Sequence, residues 1–262
     1  MAKGSYFQKH RESLEGTPQE NNFKKLPHIQ VSDEVRKIYE DGQVMLIDKP
    51  LHWTSFDAVR KIRNSLKIKK VGHAGTLDPL ASGLLIICTG KFTKKINEYM
   101  AQEKEYTGTF TLGATTPTYD SESNPENFKD FSQITEENIT EATKKFIGEI
   151  QQFPPIYSAI KKDGEALYEL ARRGETVELK ARTINIYEFE ITSIVLPVVG
   201  FRVLCGTGTY IRSLANDMGE VLGCGAYLSE LRRTKIGEQH IDNALTMEEI
   251  IKELSRLSTK QI

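Results

Sequence analysis

The sequence predicts an α+β fold with a mixed or antiparallel central sheet and flanking helices and loops. Short strand-like runs alternate irregularly with helical patterns, without the regular strand–helix–strand spacing of a doubly wound sheet. No internal repeat is visible. The 262 residues are 39% hydrophobic and 27% charged, which suits a large folded core and excludes a disordered or membrane-spanning chain.

Local signals predict each element in chain order. Residues 1 to 41 read as a polar arm that ends in a short helix, and the compact body runs from 42 to 262. VMLIDKP reads as a strand closed by a proline turn, and Thr54 with Asp57 reads as a capping box that opens a basic helix to Leu66. The other predicted elements are strand Leu84–Cys88, helix Thr93–Met100, strand 105–113, loop Ala114–Asn127, a helix from Thr135 to Ile147, a short helix Glu165–Arg172 stopped by Gly174, strands Ile184–Val195 and Gly200–Cys205, a helix after the turn GTGTY, a strand within GAYLSELRRTKIG and a terminal helix from Thr246.

The net charge of −1 conceals an uneven distribution along the chain. Residues 51 to 113 carry ten Lys and Arg against five Asp and Glu, whereas residues 114 to 150 carry three against eight. The run Arg60–Lys70 has six positive charges and no negative charge. It reads either as a solvated helix face or as a patch that follows phosphates, so one surface of the protein can be basic while the whole is neutral.

Cysteine spacing and the N-terminus bear on the cellular compartment. Cys88, Cys205 and Cys224 form no CxxC pair and no cluster with histidine, so we expect buried small residues rather than a metal site or a disulfide framework. The N-terminus lacks the apolar run of a signal peptide, which makes the cytoplasm the expected location.

A single carboxylate stands out in the stretch GHAGTLDPLASGLL. Asp78 lies between Leu77 and Pro79, and the apolar neighbours would hold its carboxylate against surroundings of low dielectric. An Asp before Pro is also ordinary turn chemistry. Neither a paired carboxylate, nor a Ser-His-Asp arrangement, nor a phosphate-binding loop accompanies it, so Asp78 would act alone.

The stretch GHAGTLDPLASGLL resembles the signature of the TruB-type pseudouridine synthases, which make pseudouridine 55 in the T-arm of transfer RNA. The other blocks that resemble this family, in family order, are MLIDKPLHWTSFDAVRKIR, EKEYTGTFTLGATTPTYD, PPIYSAIKKDGEALYELARRGE and GTYIRSLANDMGEVLGCGAYLSELRRTKIG. Together the five blocks extend from about residue 42 to 237. The resemblance implies a pseudouridine synthase-like catalytic domain that needs no cofactor or metal.

The resemblance also implies roles for single residues. Asp78 matches the catalytic aspartate, which acts while the N1–C1′ bond breaks and before the uracil rejoins through C5. Whether this carboxylate adds to the sugar, adds to the base or removes a sugar proton stays open. Arg212 matches an arginine that pairs with it, and Tyr106 matches the tyrosine that stacks on the flipped base. The remaining matches are His73, near the extruded nucleotide, and Tyr210 and Leu231, in the uracil pocket.

Cations elsewhere would hold the phosphates of a structured RNA. The segment from 153 to 180 matches the part of the family that clasps the stem-loop. Only 25 residues follow Gly237, too few for a separate C-terminal RNA-binding domain, which weighs against the RNA-guided members. We therefore expect a monomer that acts on tRNA without a protein partner. The expected phosphate contacts are Arg60–Lys70, Lys94, Lys95, Lys161, Lys162, Arg172 and Arg173.

Two other functions remain open at this point. One is an RNA-binding protein without catalysis, which the basic patches alone would support. The other keeps the reaction and changes the substrate to another structured RNA. Asp78 separates catalysis from binding, because a negative charge contributes nothing to phosphate binding.

Overall fold

The computed structural model describes residues 26–27, 29–158, 161–162, 165–166, 173 and 179–259. The helices in these residues are α1 Asp33–Asp41, α2 Ser55–Leu66, α3 Ile96–Met100, α4 Glu136–Lys144, α5 Ile211–Leu222 and α6 Met247–Thr259, with 3₁₀ turns at Gly90–Lys95 and Ile241–Asn243. The strands are β1 Val44–Lys49, β2 Val71–His73, β3 Ala81–Thr89, β4 Lys104–Leu112, β5 Gly148–Gln152, β6 Lys161–Lys162, β7 Glu165–Ala166, β8 Arg182–Val195, β9 Val198–Cys205, β10 Ala226–Ile236, β11 Gln239–His240 and β12 Leu245–Thr246.

One mixed sheet organises the described part of the chain, which confirms the predicted fold class. Its main path runs in the order β12, β1, β3, β10, β4, β9, β8, β5, with β2 attached to β3 and β11 attached to β10. Strand β10 pairs in parallel with β3 and antiparallel with β4, although it is far from both in sequence. This insertion places the loop before β3 next to the middle of β4, where the candidate site lies.

Helices pack on two halves of the sheet. Helices α4 and α5 cover the half built from β4, β8, β9 and β10, where the rings of Phe110 and Phe189 lie 5.9 and 6.0 Å from that of Phe201. Helices α1, α2 and α6 cover β1 and β3 around the buried Trp53 and Ile62. Burying one such large apolar side chain contributes about 1.5 to 3 kcal/mol, so these two clusters fix the sheet against its helices.

Most predicted elements are confirmed, with shifted boundaries. The Thr54 hydroxyl accepts from the Asp57 N–H and the Asp57 carboxylate accepts from the Thr54 N–H, both at 3.0 Å, so the predicted capping box begins α2. Helix α4 ends at Lys144 rather than Ile147, because β5 begins at Gly148. The predicted helix Thr93–Met100 is a 3₁₀ turn followed by the short α3. The three cysteines are free and buried, as expected.

The segment predicted to clasp RNA contains the one helix prediction that is wrong in the described residues. Glu165–Ala166 form a strand paired with Lys161–Lys162, whereas a helix was expected from Glu165 to Arg172. The rest of that predicted helix, including Arg172, lies outside the described residues. Among the helices that the structure describes, none has the length and apolar character needed to cross a membrane.

Candidate active site

An open cleft of about 610 Å³ lies where the loop before β3, the turn before α5 and the strands β4 and β10 meet. The resemblance implied six site residues, spread over three blocks of the sequence, and five of the six line this cleft. They are Asp78, Tyr106, Tyr210, Arg212 and Leu231. Residues up to 153 positions apart in sequence therefore converge on one surface because β10 lies between β3 and β4.

The loop that carries Asp78 is fixed by hydrogen bonds on both sides of the carboxylate. The buried Ser55, in the first turn of α2, accepts from the Leu77 N–H at 2.8 Å, and its hydroxyl lies 3.2 Å from the Leu77 carbonyl. The Ala81 N–H donates to the Asp78 carbonyl at 3.0 Å, and the His52 N–H donates to the Pro79 carbonyl at 2.7 Å. The backbone around Asp78 is thus held in place while its side chain remains 42% exposed. The expected low-dielectric enclosure of this carboxylate is not what the structure has.

Arg212 is the cation that faces this carboxylate. Its Nε lies 2.9 Å from Asp78 Oδ2, and only 7% of its side chain is exposed. The guanidinium also donates to the carbonyls of Thr118 at 3.3 Å and Tyr157 at 3.0 Å. A buried cation whose orientation is set by two carbonyls therefore pairs with a carboxylate that is open to the cleft.

The start of helix α5 aims Arg212 into the cleft. Gly208 adopts a φ of +83°, which a residue with a side chain rarely adopts, and so turns the chain before the helix. The Gln152 side chain then accepts from the Tyr210 N–H at 2.9 Å and donates to the Tyr210 carbonyl at 3.1 Å. The hydroxyl of Ser213 donates to the Phe153 carbonyl at 2.8 Å. These contacts fix the first turn of α5 and the direction of its arginine.

A second carboxylate, Asp120, also faces Arg212. Its Oδ2 lies 3.6 Å from Arg212 Nη1, and 8% of its side chain is exposed. Asp120 accepts from the Thr118 hydroxyl at 2.6 Å and from the Glu122 N–H at 2.9 Å. Burial raises the pKa of Asp120 above its ordinary value, while these hydrogen bonds and Arg212 act in the opposite direction. Arg212 therefore bridges an exposed carboxylate in the cleft and a buried one behind it.

Tyr106 and Arg233 form the floor of the cleft. They face each other across β4 and β10, and burial raises the pKa of the Tyr106 hydroxyl while the charge of Arg233 lowers it to a smaller extent. The Arg233 guanidinium, 1% exposed, donates to the carbonyls of Leu84 at 2.8 Å and Gly75 at 3.1 Å. Arg233 thereby connects the ring of Tyr106 to the loop that carries Asp78.

The other predicted contacts lie apart from the cleft or cannot be described. His73 ends β2, partly buried, with a buried Nδ1 that has no hydrogen-bond partner among the described residues; burial and the charge of Arg233 lower the pKa of His73. Lys94 lies in the 3₁₀ turn before α3, exposed and outside the cleft lining. Lys161 has a described backbone only, and Arg172 lies outside the described residues.

The basic run Arg60–Lys70 divides between two environments. Lys67, Lys69 and Lys70 are exposed and can meet an RNA backbone. Lys61 is 4% exposed and donates to the carbonyls of Leu26 and Pro27 at 2.9 and 3.0 Å. Including Lys61 among the phosphate contacts was therefore wrong, because its ammonium group joins the N-terminal segment to α2.

Sequence reasoning missed several residues that shape the site. Ser55, Asp120 and Arg233 hold the loop and the arginine, and Lys104 lines the cleft on the same strand as Tyr106. The spacing of Lys104 and Tyr106, two residues apart on a strand, was the one signal that could have placed both on one face.

Comparisons with known families agree with this arrangement. The model of the TruB family pseudouridylate synthase N-terminal domain matches residues 63–211, and that of the tRNA pseudouridylate synthase B C-terminal domain matches residues 212–260. The first match contains Asp78 and Tyr106, and the second begins at Arg212. The two matched regions share one sheet, because β10 lies between β3 and β4.

Similar proteins cover most of the chain. It is 57% identical to tRNA pseudouridine synthase B of Flavobacterium johnsoniae, covering 79% of this chain and 93% of that protein, and 51% identical to that of Parabacteroides distasonis, covering 80% and 92%. A chain in the crystal structure of a Cbf5-Nop10-Gar1 complex has a TM-score of 0.64 and 30% identity, covering 85% of this chain and 61% of that one. A chain in an H/ACA RNP bound to a substrate RNA containing 2′-deoxyuridine has a TM-score of 0.62 and 27% identity, covering 93% and 65%. The protein therefore belongs to the TruB family of pseudouridylate synthases, a family of isomerases.

Proposed function

We propose that this enzyme isomerises uridine 55 in the T-arm of transfer RNA to pseudouridine, with Asp78 as its single catalytic carboxylate. One observation carries the proposal: the Asp78 carboxylate is 42% exposed in the cleft, while the guanidinium that pairs with it at 2.9 Å is 7% exposed. A carboxylate that is open to the cleft and paired with a fixed cation is accessible to a nucleotide bound there. The names of the relatives support tRNA as the substrate class.

The target uridine is inaccessible at C1′ while it is stacked in the loop, so the proposal includes base flipping. Extrusion of a nucleotide costs about a few kcal/mol of stacking, which contacts with the RNA backbone can offset. The cleft accepts the nucleotide between Asp78 and the ring of Tyr106, with Tyr210 and Leu231 as walls. His73 lies outside this lining, and we assign it to the space beside the extruded nucleotide.

The reaction exchanges one glycosidic bond for another. The N1–C1′ bond breaks with its electron pair passing to the uracil, the ring turns, and C5 forms the new bond to C1′. C5 then loses its proton and N1 gains one, so the product is an isomer of the substrate. In this proposal Asp78 acts as the carboxylate, and Arg212, 2.9 Å away, pairs with it and fixes its position. The Tyr106 hydroxyl, in the same proposal, helps to move the C5 proton.

RNA binding in this proposal uses the cations around the cleft. The exposed lysines Lys67, Lys69, Lys70 and Lys94 would meet phosphates, and Lys161 and Arg172 would do so from the clasping segment, 153 to 180. The proposal treats residues 42 to 262 as one catalytic domain. It further includes a monomer that acts in the cytoplasm without a protein partner, which light scattering and fractionation of cells can test.

The experiment is pseudouridine formation in a synthetic T-arm stem-loop. Wild type and Asp78→Asn are compared on the natural loop and on a loop with cytidine at the target position. Product with wild type alone, at the target uridine alone, is the expected result. An Asp78→Asn variant with normal turnover would refute the role of Asp78.

Binding without catalysis is the second candidate, and the same experiment separates it. Tight binding of the stem-loop by wild type without any product would favour an RNA-binding protein or a different RNA substrate. Repeating the assay with unmodified total tRNA and with ribosomal RNA then distinguishes these two.

A further inference from the structure

Two buried cations, Lys104 and Arg233, are among the residues that line the cleft. Lys104 is 6% exposed, and its ammonium group donates to the carbonyls of Met100 and Gln102. An ammonium group has three donors, and the described residues provide Lys104 with no third acceptor. Arg233 is 1% exposed and likewise donates to carbonyls. Both residues line the cleft.

Neither cation has a carboxylate partner within the described parts of the chain. The carboxylates Glu103 and Glu105, which flank Lys104, pair with Lys235 and Arg202 instead. Burial, and then the charge of Arg233, lower the pKa of Lys104 to about 8. Carbonyl dipoles thus hold two like charges in a low-dielectric region, where each disfavours the other. A negative charge that enters the cleft would therefore stabilise both cations electrostatically.

The two cations flank the ring of Tyr106. Lys104 precedes Tyr106 by two residues, so both side chains lie on the same face of β4. Arg233 is the direct cross-strand partner of Tyr106 on β10. A planar base stacked on this ring would therefore have a positive charge on two sides.

We propose that Lys104 and Arg233 stabilise negative charge on the uracil ring while its bond to C1′ is broken. The inference rests on the proposed function, in which the uracil stacks on Tyr106. When the N1–C1′ bond breaks, its electron pair is delocalised over N1, O2 and O4 of the base. Preorganised cations beside that charge lower the barrier without any reorganisation.

The proposal holds for each route open to Asp78. If the carboxylate adds to C1′ or removes a sugar proton, the uracil leaves with the electron pair. If the carboxylate adds to the base, the charge appears on the carbonyl oxygen O4. Negative charge passes to the ring in all three cases, so the cations are useful in all three.

The experiment compares Lys104→Gln with Lys104→Arg in single-turnover assays on the T-arm stem-loop. We expect Lys104→Gln to react about 100-fold more slowly, in the range measured for loss of one electrostatic donor, with its Kd for the stem-loop within about twofold of wild type. Lys104→Arg should recover part of the rate, because it retains the charge. Thermal melting of both variants shows that they are folded.

Lys61→Gln is the matched control. Lys61 is also buried and also donates to two carbonyls, but it lies away from the cleft. Its replacement should lower the melting temperature to a similar extent as Lys104→Gln without the rate loss of Lys104→Gln. Equal rate losses in the two variants would show that Lys104 contributes to stability alone, and this result would overturn the proposal.

A stem-loop with 5-fluorouridine at the target gives a readout that stability does not change. Fluorine withdraws electrons and makes the uracil a better leaving anion. The rate ratio between wild type and Lys104→Gln, measured as loss of the starting nucleoside, should shrink at least several-fold. An unchanged ratio would refute charge stabilisation on the base. A Lys104→Gln variant that only raises Kd, without slowing the bound reaction, would refute it too and would indicate a phosphate site. Should Lys104→Gln fail to fold, Lys104→Met and Lys104→Arg supply the same comparison, because Met also removes the charge and keeps a side chain of similar length.

The two proposals can fail separately. Absence of product with wild type would remove the proposed function and this inference with it. Product with wild type, loss of product with Asp78→Asn and a normal rate with Lys104→Gln would leave the function standing and refute this inference alone.

Discussion

Replacing Arg212 with alanine should destabilise the fold chiefly through Asp120 rather than through Asp78. Arg212 lies 3.6 Å from the Asp120 carboxylate, which is 8% exposed, and 2.9 Å from the Asp78 carboxylate, which is 42% exposed. Water can solvate Asp78 once the guanidinium is gone. It has much less access to Asp120, which would be left as a largely buried charge without a cation.

The expected loss in the free energy of unfolding follows from the exposed fractions of the Asp78 and Asp120 side chains. Leaving one partner of a buried pair behind costs about 3 to 5 kcal/mol, and the lower end applies here because Thr118 and Glu122 still donate to Asp120. An ion pair as exposed as that of Asp78 contributes less than about 1 kcal/mol. The free energy of unfolding of Arg212→Ala should therefore fall by about 3 to 4 kcal/mol, nearly all of it through Asp120.

Urea unfolding of the single and double variants tests this partition. Asp120→Asn in the Arg212→Ala background should recover about 2 kcal/mol or more, because it removes the stranded charge, whereas Asp78→Asn should recover almost nothing. Removing Arg212 also raises the pKa of Asp120. The stability deficit is then largest above that raised pKa and shrinks as the pH falls through it, since a protonated Asp120 needs no cation. A deficit that is independent of pH, or that Asp78→Asn relieves, would refute the reasoning.

Three further predictions concern other positions. Tyr106→Phe should bind the stem-loop and lose most single-turnover activity, because it keeps the ring and loses the hydroxyl; normal turnover would contradict its role. Burial and the charge of Glu220 raise the pKa of Asp217 from 3.8 to about 6, so ionising it costs stability as the pH rises through that interval. Asp217→Asn should therefore be more stable by up to about 3 kcal/mol above the higher value, with no gain in urea unfolding below pH 3.8. At Gly83, with a φ of +102°, an added Cβ would lie 2.3 Å from the Arg233 carbonyl, so Gly83→Ala should unfold at a clearly lower temperature than wild type.

Elements with local signals were predictable from the sequence. The capping box of Thr54 and Asp57 needs only three consecutive peptide units, and the structure forms it as expected. Strand β2 was not predicted, because three residues, Val71–His73, carry too short a pattern and depend on pairing with β3. The prediction of a helix that begins at Glu165 was wrong for its first two residues, which form a strand. Their pairing with Lys161–Lys162 overrides the local preference for a helix.

Only those site residues that match the family's sequence blocks could be predicted from the sequence. Asp78, Tyr106 and Arg212 could be named from the family blocks, and the structure brings them to one cleft. Asp120 and Arg233 could not be, because their importance depends on contacts between residues far apart in sequence. The burial of Lys61 could not be predicted either, because nothing in a basic helical run indicates that this lysine donates to the carbonyls of Leu26 and Pro27.

The place of β10 in the sheet has a consequence for the protein during its synthesis. Strand β10 lies between β3 and β4 and pairs with both. Through these two pairings it brings the loop of Asp78, which precedes β3, beside the ring of Tyr106 on β4. A nascent chain that has left the ribosome only as far as α5 already contains Asp78, Tyr106 and Arg212 but has no strand to join them. Such long-range pairing closes late in folding. We therefore expect a chain that ends before residue 226 to form no pseudouridine in the stem-loop assay.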